Sequence, residues 1–116
     1  MDDRIKKYLE DILIAIEEIN IFFETTPQKY NTFLNNLLLR RAVERNIEII
    51  GEAMSRILKI DSTILITNAR KIVDTRNYVI HGYDSLTVDI LWSIVINHLP
   101  LLKIEAEKLL NDIENA

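Results

Sequence analysis

The stretch TRNYVIHGYDS, residues 75–85, gathers side chains that are suited to chemistry at an anionic centre. It contains one of the two histidines of the chain, with an arginine five positions earlier and a tyrosine two positions later. An imidazole titrates near neutral pH and can donate or accept a proton, whereas a guanidinium binds anions through paired hydrogen bonds. The candidate site residues are therefore Arg76, Asn77, His81 and Tyr83.

Each of these residues also has a purely structural interpretation. A His-Gly pair is a common helix end, so His81 alone predicts a cap, and Tyr83 alone predicts core packing. Arg76 would then be a half-buried arginine whose charge is paired with an acidic residue such as Glu52. Asn77 stands one helical turn before His81, where its amide can orient the imidazole. The combination of the four residue types favours a site over four unrelated structural roles.

The spacing of Arg76 and His81 sets a condition on the helix that carries them. Five residues correspond to about 140° around an ideal α-helix, so the two side chains point in different directions while the helix lasts. They converge only if the helix ends or unwinds near Ile80, and Gly82 is the residue that permits this.

Four segments with helical periodicity must position these residues. Apolar residues recur at steps of three and four, which predicts helices over about 2–24, 31–59, 68–80 and 88–114. The sequence TTPQ separates the first two, and residues 61–68 form a connection with at most a short helical turn. Pro100 should kink the last helix, because it lacks an amide hydrogen and crowds the carbonyl of Ile96. The prediction is a single all-α domain over 1–116, a four- or five-helix up-and-down bundle with a kinked last helix.

Composition agrees with this fold and narrows the function. With 48% hydrophobic residues, 28% charged residues, two glycines and two prolines, the chain is neither turn-rich nor disordered. Because cysteine is absent, disulfides and thiolate metal sites are excluded, which fits a reducing cytoplasm. The net charge of −4 argues against a broadly basic nucleic-acid binder, although residues 25–83 carry nine basic and five acidic side chains.

Other features predict no further chemistry. The acidic amphipathic N-terminus is unlike a signal peptide, and no apolar run is long enough for a membrane span, so we expect a soluble cytoplasmic protein. The carboxylates form no recognisable ligand set with either histidine, so neither a metal nor a cofactor is expected. His98, next to the kink, is interpreted as structural. Gly51 lies in mid-helix, where close helix packing is its simplest explanation, and its neighbour Glu52 is placed to hold Arg76.

The residues RNYVIHGY resemble the Arg-x4-His-x-Tyr motif of HEPN-domain proteins, specifically the HepT-like toxins. RRAVERNIEIIGEAMSRI resembles their second helix and VDILWSIVINHLPLL their last, so the similarity covers essentially the whole chain. The resemblance implies a HEPN bundle that acts as a homodimeric, metal-independent endoribonuclease on RNA, the toxin of a type VII (HepT/MntA-like) toxin–antitoxin system. It assigns catalysis to Arg76 and His81. Asn77 and Glu52 are the supporting residues that helix spacing predicts beside them. The resemblance also implies an MntA-like minimal nucleotidyltransferase antitoxin, which silences the toxin by transferring AMP to Tyr83.

Two alternatives stay open at the level of sequence. One is a non-catalytic HEPN protein that binds nucleotide or presents a substrate to a nucleotidyltransferase, which loss of the motif Arg or His would have favoured. The other is a helical interaction module in which His81 only ends a helix. Replacing His81 tests the second alternative, because the loss of a cap would change stability but not activity.

Overall fold

The computed structural model describes residues 2–81 and 85–115, and within them all side chains except those of 77–81 and 85–87. Its helices, in chain order, are α1 (Asp3–Phe22), α2 (Tyr30–Asn35), α3 (Leu37–Ile60), α4 (Ala69–His81), α5 (Ser85–Ser93), a π-helical turn (Ile94–His98) and α6 (Leu99–Glu114). The last three follow one another without a break, so the described residues form five helical runs and contain no strand. The predicted all-α bundle is therefore confirmed.

The core lies between α1, α3 and the helices that pack on them. α1 packs along α3 and against α6, and α3 packs on α4. Most apolar positions of the sequence pattern become buried, among them Leu9, Ile12, Ile16, Ile50, Met54, Ile57, Leu102 and Ala106, whereas Leu37 and Leu38 of the same pattern are exposed. α3 thus contacts the core through one face and carries α4 on a neighbouring one, which makes it the scaffold of the candidate site.

The prediction of one helix over 31–59 was wrong in one respect, because the segment is divided at Asn36. This residue has φ −113° and ψ 94°, outside the helical region, and its side-chain oxygen accepts a hydrogen bond from the amide of Leu39 at 2.9 Å. Asparagine is a strong N-cap residue, so Asn36 ends α2 and starts α3. Sequence periodicity did not reveal the break, because the apolar residues on both sides keep helical spacing.

A kink was predicted at Pro100, and the irregularity that the structure has there is a π-helical turn. Pro100 has no amide hydrogen for the carbonyl of Ile96, and the preceding residue bonds one position further back, from the amide of Leu99 to the carbonyl of Ile94. The turn covers Ile94–His98, directly before the proline. The helical run also starts three residues earlier than predicted, at Ser85 rather than Val88.

An aromatic cluster anchors α5 against α2 and the end of α1. The ring of Trp92 lies 5.3 Å from that of Phe33 and about 6 Å from those of Phe23 and Tyr30, measured between ring centroids. The Tyr30 hydroxyl donates to the carboxylate of Asp89, and this hydrogen bond raises the pKa of Tyr30. Trp92 of α5 therefore packs against two residues of α2 and against the residue that follows α1.

α4 is held at its start by α6. The amide of Thr67 lies 3.1 Å from both carboxylate oxygens of Glu105, and its hydroxyl donates to Oε2 at 2.7 Å. The helix then runs from Ala69 to His81, against a predicted span of 68–80. None of the helices in the described ranges is both long and apolar enough to cross a membrane.

Candidate functional site

Arg76 is the part of the motif that the structure describes in full. Its neighbours Ile72 and Thr75 are each only 4% exposed, whereas the Arg76 side chain is 33% exposed. Its guanidinium Nη1 donates a hydrogen bond to Oε2 of Glu52 on α3. The sequence placed a charge in the apolar stripe of this helix and named Glu52 as its partner, and this ion pair is present.

Glu52 holds a second guanidinium as well. Its other carboxylate oxygen, Oε1, accepts a hydrogen bond of 2.9 Å from Nε of Arg56, one turn further along α3. The Tyr8 hydroxyl and then the Glu52 carboxylate raise the pKa of Arg56. One negative charge is thus shared by two positive ones, so the triad carries a net positive charge at the surface.

Gly51 brings α3 and α4 close enough for this pairing. A Cβ atom added at Gly51 would lie 3.3 Å from Cβ of Arg76 and 3.4 Å from the carbonyl oxygen of Ile72. Both distances are at the tight end of van der Waals contact. The close packing predicted at Gly51 is therefore present, and it occurs directly beneath Arg76.

A cleft of about 350 Å³ opens beside Arg76, between α1 and α3. The polar and aromatic residues of its lining are Tyr8, Asp11, Arg45, Glu48, Glu52, Arg56 and Arg76. Ile49 and Ala53 add an apolar part. The Arg56 guanidinium carbon lies 6.0 Å from the centroid of the Tyr8 ring, at the outer range of a cation–π contact.

Sequence reasoning did not single out Tyr8 and Arg56 as part of this region. The sequence could have indicated Arg56, because it follows Glu52 by four residues and the two side chains therefore share a helix face. Nothing in the sequence indicated Tyr8, since only the packing of α1 on α3 brings residues so far apart in sequence to one cleft. Such long-range neighbours are set by tertiary structure and not by local periodicity.

Two further predicted site residues, Asn77 and His81, are described only through the backbone of α4. The helix continues through His81, so it does not unwind before the motif histidine, and Asn77 stays one turn away from it on the same helix. The Asn77 amide and the His81 imidazole lie outside the described side chains. Tyr83 lies outside the described residues altogether. Their roles remain predictions.

His98 lies at a different concavity, on another face of α4. A cavity of about 310 Å³ is lined by His98 and by Lys71, Asp74 and Thr75 of α4. The His98 ring nitrogen Nδ1 is 3.4 Å from the side-chain nitrogen of Asn68. Burial, together with the nearby charge of Lys71, lowers the pKa of His98. These contacts agree with the structural interpretation of this histidine.

Carboxylates and histidines do not gather elsewhere in the part of the chain that is described. There, no group of three or more His, Asp or Glu side chains is arranged so that it could hold a metal ion. The chemistry that the described site offers is therefore that of an accessible guanidinium, positioned by a carboxylate and preceding a helical histidine by five residues.

Comparison with known proteins identifies the family to which this chain belongs. A family model described as Ribonuclease HepT-like matches residues 12–109, and the chain belongs to this HepT-like ribonuclease family. It is 38% identical over 105 residues to "Putative RNase MJ1380" of Methanocaldococcus jannaschii, an alignment that covers 89% of this chain and 94% of the relative. It is 39% identical over 106 residues to "Probable ribonuclease HepT" of Thermococcus cleftensis, covering 90% and 94%. No solved structure matches the chain with significant similarity.

Proposed function

We propose that this protein is a metal-independent endoribonuclease in which His81 transfers protons and Arg76 stabilises negative charge. The observation that carries the proposal is the partly exposed Arg76 side chain, paired with Glu52 in a chain that belongs to a ribonuclease family. An arginine in an apolar stripe is costly unless it is paired, and pairing to an exposed carboxylate leaves its other N–H groups available to an anion.

The proposed reaction uses the 2′-hydroxyl of RNA as the nucleophile. A neutral imidazole removes the 2′-hydroxyl proton, the oxygen bonds to the adjacent phosphorus, and the bond from phosphorus to the 5′-oxygen breaks. A protonated imidazole supplies the proton that the leaving 5′-oxygen needs, so the products are a 2′,3′-cyclic phosphate and a 5′-hydroxyl. Each proton transfer contributes typically 10²–10⁴-fold to the rate. Arg76 donates hydrogen bonds to the phosphoryl oxygens as charge builds on them.

A homodimer supplies the two imidazoles that this reaction requires. One motif provides a single acid–base group that titrates near neutrality, whereas cleavage needs a base and an acid at the same time. Two protomers related by a twofold axis place the same residues opposite each other. We therefore propose that the site is completed by His81 of a second copy.

In this proposal the protein is the toxin of a HepT/MntA-like toxin–antitoxin pair, and Tyr83 is its point of control. A minimal nucleotidyltransferase partner transfers AMP, so that the phenol oxygen bonds to the α-phosphorus of a bound nucleoside triphosphate, its proton is lost and pyrophosphate leaves. The adduct adds bulk and a negative phosphate two residues from His81. RNA would be repelled from the position at which it must bind.

The activity is tested by expressing the wild type and His81→Ala in cells and by incubating both purified proteins with RNA in a chelator. We expect growth arrest and RNA fragments with 2′,3′-cyclic ends from the wild type only. Circular dichroism and sedimentation show whether both proteins are folded and equally associated. Equal behaviour of the two proteins would contradict the proposal and leave His81 as a helix cap.

Control by AMP transfer is tested by co-expression with an MntA-like nucleotidyltransferase. Intact-mass measurement should detect adenylate on the wild type but not on Tyr83→Phe, and growth should recover only with the wild type. Modification of Tyr83→Phe to the same extent would show that another residue is the acceptor.

A further inference from the structure

We infer that the cleft beside Arg76 binds one unpaired base of the RNA, next to the phosphate that is cleaved, and selects bases that carry an amino group. This inference rests on the proposed ribonuclease function and assigns a substrate preference to it. It is carried by three features of the cleft, namely its stacking surface, its acceptor groups and its connection to Arg76.

The stacking surface is the Tyr8 ring together with the Arg56 guanidinium. Tyr8 is half-buried on α1, between the buried residues Ile5 and Leu9, so its ring is supported from below. Arg56 lies 6.0 Å from the ring centroid and is tied to Glu52 at 2.9 Å. Single-stranded RNA is commonly bound by stacking of its bases on tyrosine rings and on arginine guanidinium planes. Both kinds of surface are present in this one cleft.

The charge of the lining favours a base over a phosphate. Three arginines of the cleft face three carboxylates, those of Asp11, Glu48 and Glu52. Asp11 uses its Oδ2 to bind Lys7 at 3.0 Å, and no ion pair to Glu48 occurs among the described residues. Ionised carboxylates only accept hydrogen bonds, and the amino groups of adenine, cytosine and guanine donate them. Uracil has no amino group, and its one N–H donor on the pairing edge lies between two carbonyl oxygens that carboxylates repel, so the cleft should discriminate against it.

The connection to Arg76 places this base close to the cleaved phosphate. Glu52 contacts the guanidinium of Arg76 with one oxygen and that of Arg56 with the other. A base stacked on Arg56 is therefore separated from Arg76 by a single side chain. The volume of about 350 Å³ lies at the lower end of the range for small-molecule sites, as expected for one base rather than a longer segment.

The first test maps cleavage sites on a pool of random RNA by sequencing the fragment ends. For the wild type we expect one position next to the cut to be depleted of uracil. Tyr8→Leu should reduce cleavage and flatten the distribution at that position, whereas Tyr8→Phe, which keeps the ring, should preserve it. Glu48→Gln should relax the bias against uracil. Its matched control is Glu44→Gln on the same helix, which pairs with Arg41 at 2.8 Å and does not line the cleft.

The second test measures binding without cleavage, using labelled 2′-O-methyl hexamers of adenine, cytosine or uracil that cannot undergo internal attack. Tyr8→Leu should bind the adenine hexamer about 5- to 150-fold more weakly, the loss of one base-stacking contact, while Tyr8→Phe should stay within about twofold. If Tyr8→Leu is poorly folded, Glu48→Gln, a substitution of a partly exposed residue, tests the same cleft. It should reduce the difference in affinity between the uracil hexamer and the other two.

The outcomes separate this inference from the proposed function. A wild type that cleaves RNA with a base bias unaffected by Tyr8→Leu and Glu48→Gln would overturn the base subsite and leave the ribonuclease standing. A wild type that cleaves no RNA but binds the hexamers through Tyr8 would overturn the ribonuclease and leave the base subsite standing. Equal affinity of all variants for all hexamers would also overturn the subsite, and would leave the cleft as a surface for a protein partner.

Discussion

Helix α4 separates two concavities of similar size, and they differ in the ionisation of their central groups. The cleft next to α3 has a volume of about 350 Å³ and is bordered by Arg76, whose charge is permanent and partly exposed. The cavity next to α5 has a volume of about 310 Å³ and is bordered by His98, whose pKa is lowered by burial. Lys71 and Asp74, which line the second cavity, stand about 140° and 160° around α4 from Arg76.

The difference lies in how each polar group is partnered. Arg76 faces a carboxylate that orients its guanidinium, while its remaining N–H groups are available to a ligand. His98 is partly buried, has an amide nitrogen near its Nδ1 and faces the positive charge of Lys71. A charge that is paired yet accessible is suited to binding an anion, whereas a histidine held neutral beside a lysine is suited to packing. The presence of a titratable residue in a cavity is therefore not enough to define a site.

The contrast between the two concavities is tested most strongly by removing the charge at Arg76. We expect Arg76→Ala to lower the rate of RNA cleavage by about 10²–10³-fold, the usual cost of removing one group that stabilises transition-state charge. Arg76→Lys should recover only part of the rate, because an ammonium cannot make the paired hydrogen bonds of a guanidinium. Single-turnover cleavage of a labelled RNA measures both.

The matched control lies on the other face of α4. His98→Asn should cleave RNA at a rate within about twofold of the wild type, since the two concavities are separate. A loss at His98 as large as that at Arg76 would show that both concavities belong to one site, and the distinction drawn between them would fail.

Sequence reasoning predicted the local parts of this site better than the distant ones. The pairing of Arg76 with Glu52 followed from helix faces, and the close approach at Gly51 followed from a glycine in mid-helix. The break at Asn36 was missed because the helical spacing of apolar residues continues across it. Tyr8 was missed because its neighbours in the cleft lie far away in sequence, and no periodicity encodes such a contact.

The second largest effect should come from the packing that brings α3 and α4 together. Gly51→Leu must insert a side chain where a single Cβ atom already meets Arg76 at 3.3 Å, so the helices have to separate. Overpacking of this kind costs about 1–3 kcal/mol of unfolding free energy, and Arg76 should move away from Glu52. Urea denaturation measures the loss of unfolding free energy, and the rate of RNA cleavage reports the displacement of Arg76. Ser55→Leu, which is half-buried on the same helix and does not line the cleft, is the control.

A smaller effect is expected from the carboxylate that orients Arg76. Glu52→Gln keeps the size of the side chain but removes its charge, so both guanidinium groups lose their ionic partner. We expect cleavage to fall about tenfold, in line with the loss of one charge-assisted hydrogen bond. Stability should change by less than about 1 kcal/mol, because exposed ion pairs contribute little. Glu44→Gln, whose pair with Arg41 is outside the cleft, should alter neither quantity by as much.

The smallest effect concerns the neutral histidine of the second cavity, and it appears in the pH dependence of stability. Because burial and Lys71 lower the pKa of His98, the unfolded chain, with a histidine pKa of about 6.5, takes up a proton at a higher pH than the folded protein does. The contribution of His98 is therefore fully present above about pH 6.5 and is lost as pH falls toward the folded-state value. Thermal melting between pH 7.5 and 5.5 should show a decline in the wild type, and His98→Asn should make that decline shallower by a few degrees. An unchanged slope in His98→Asn would mean that this histidine has the same pKa in the folded and the unfolded protein. The contrast between the two faces of α4 would then rest on Arg76 alone.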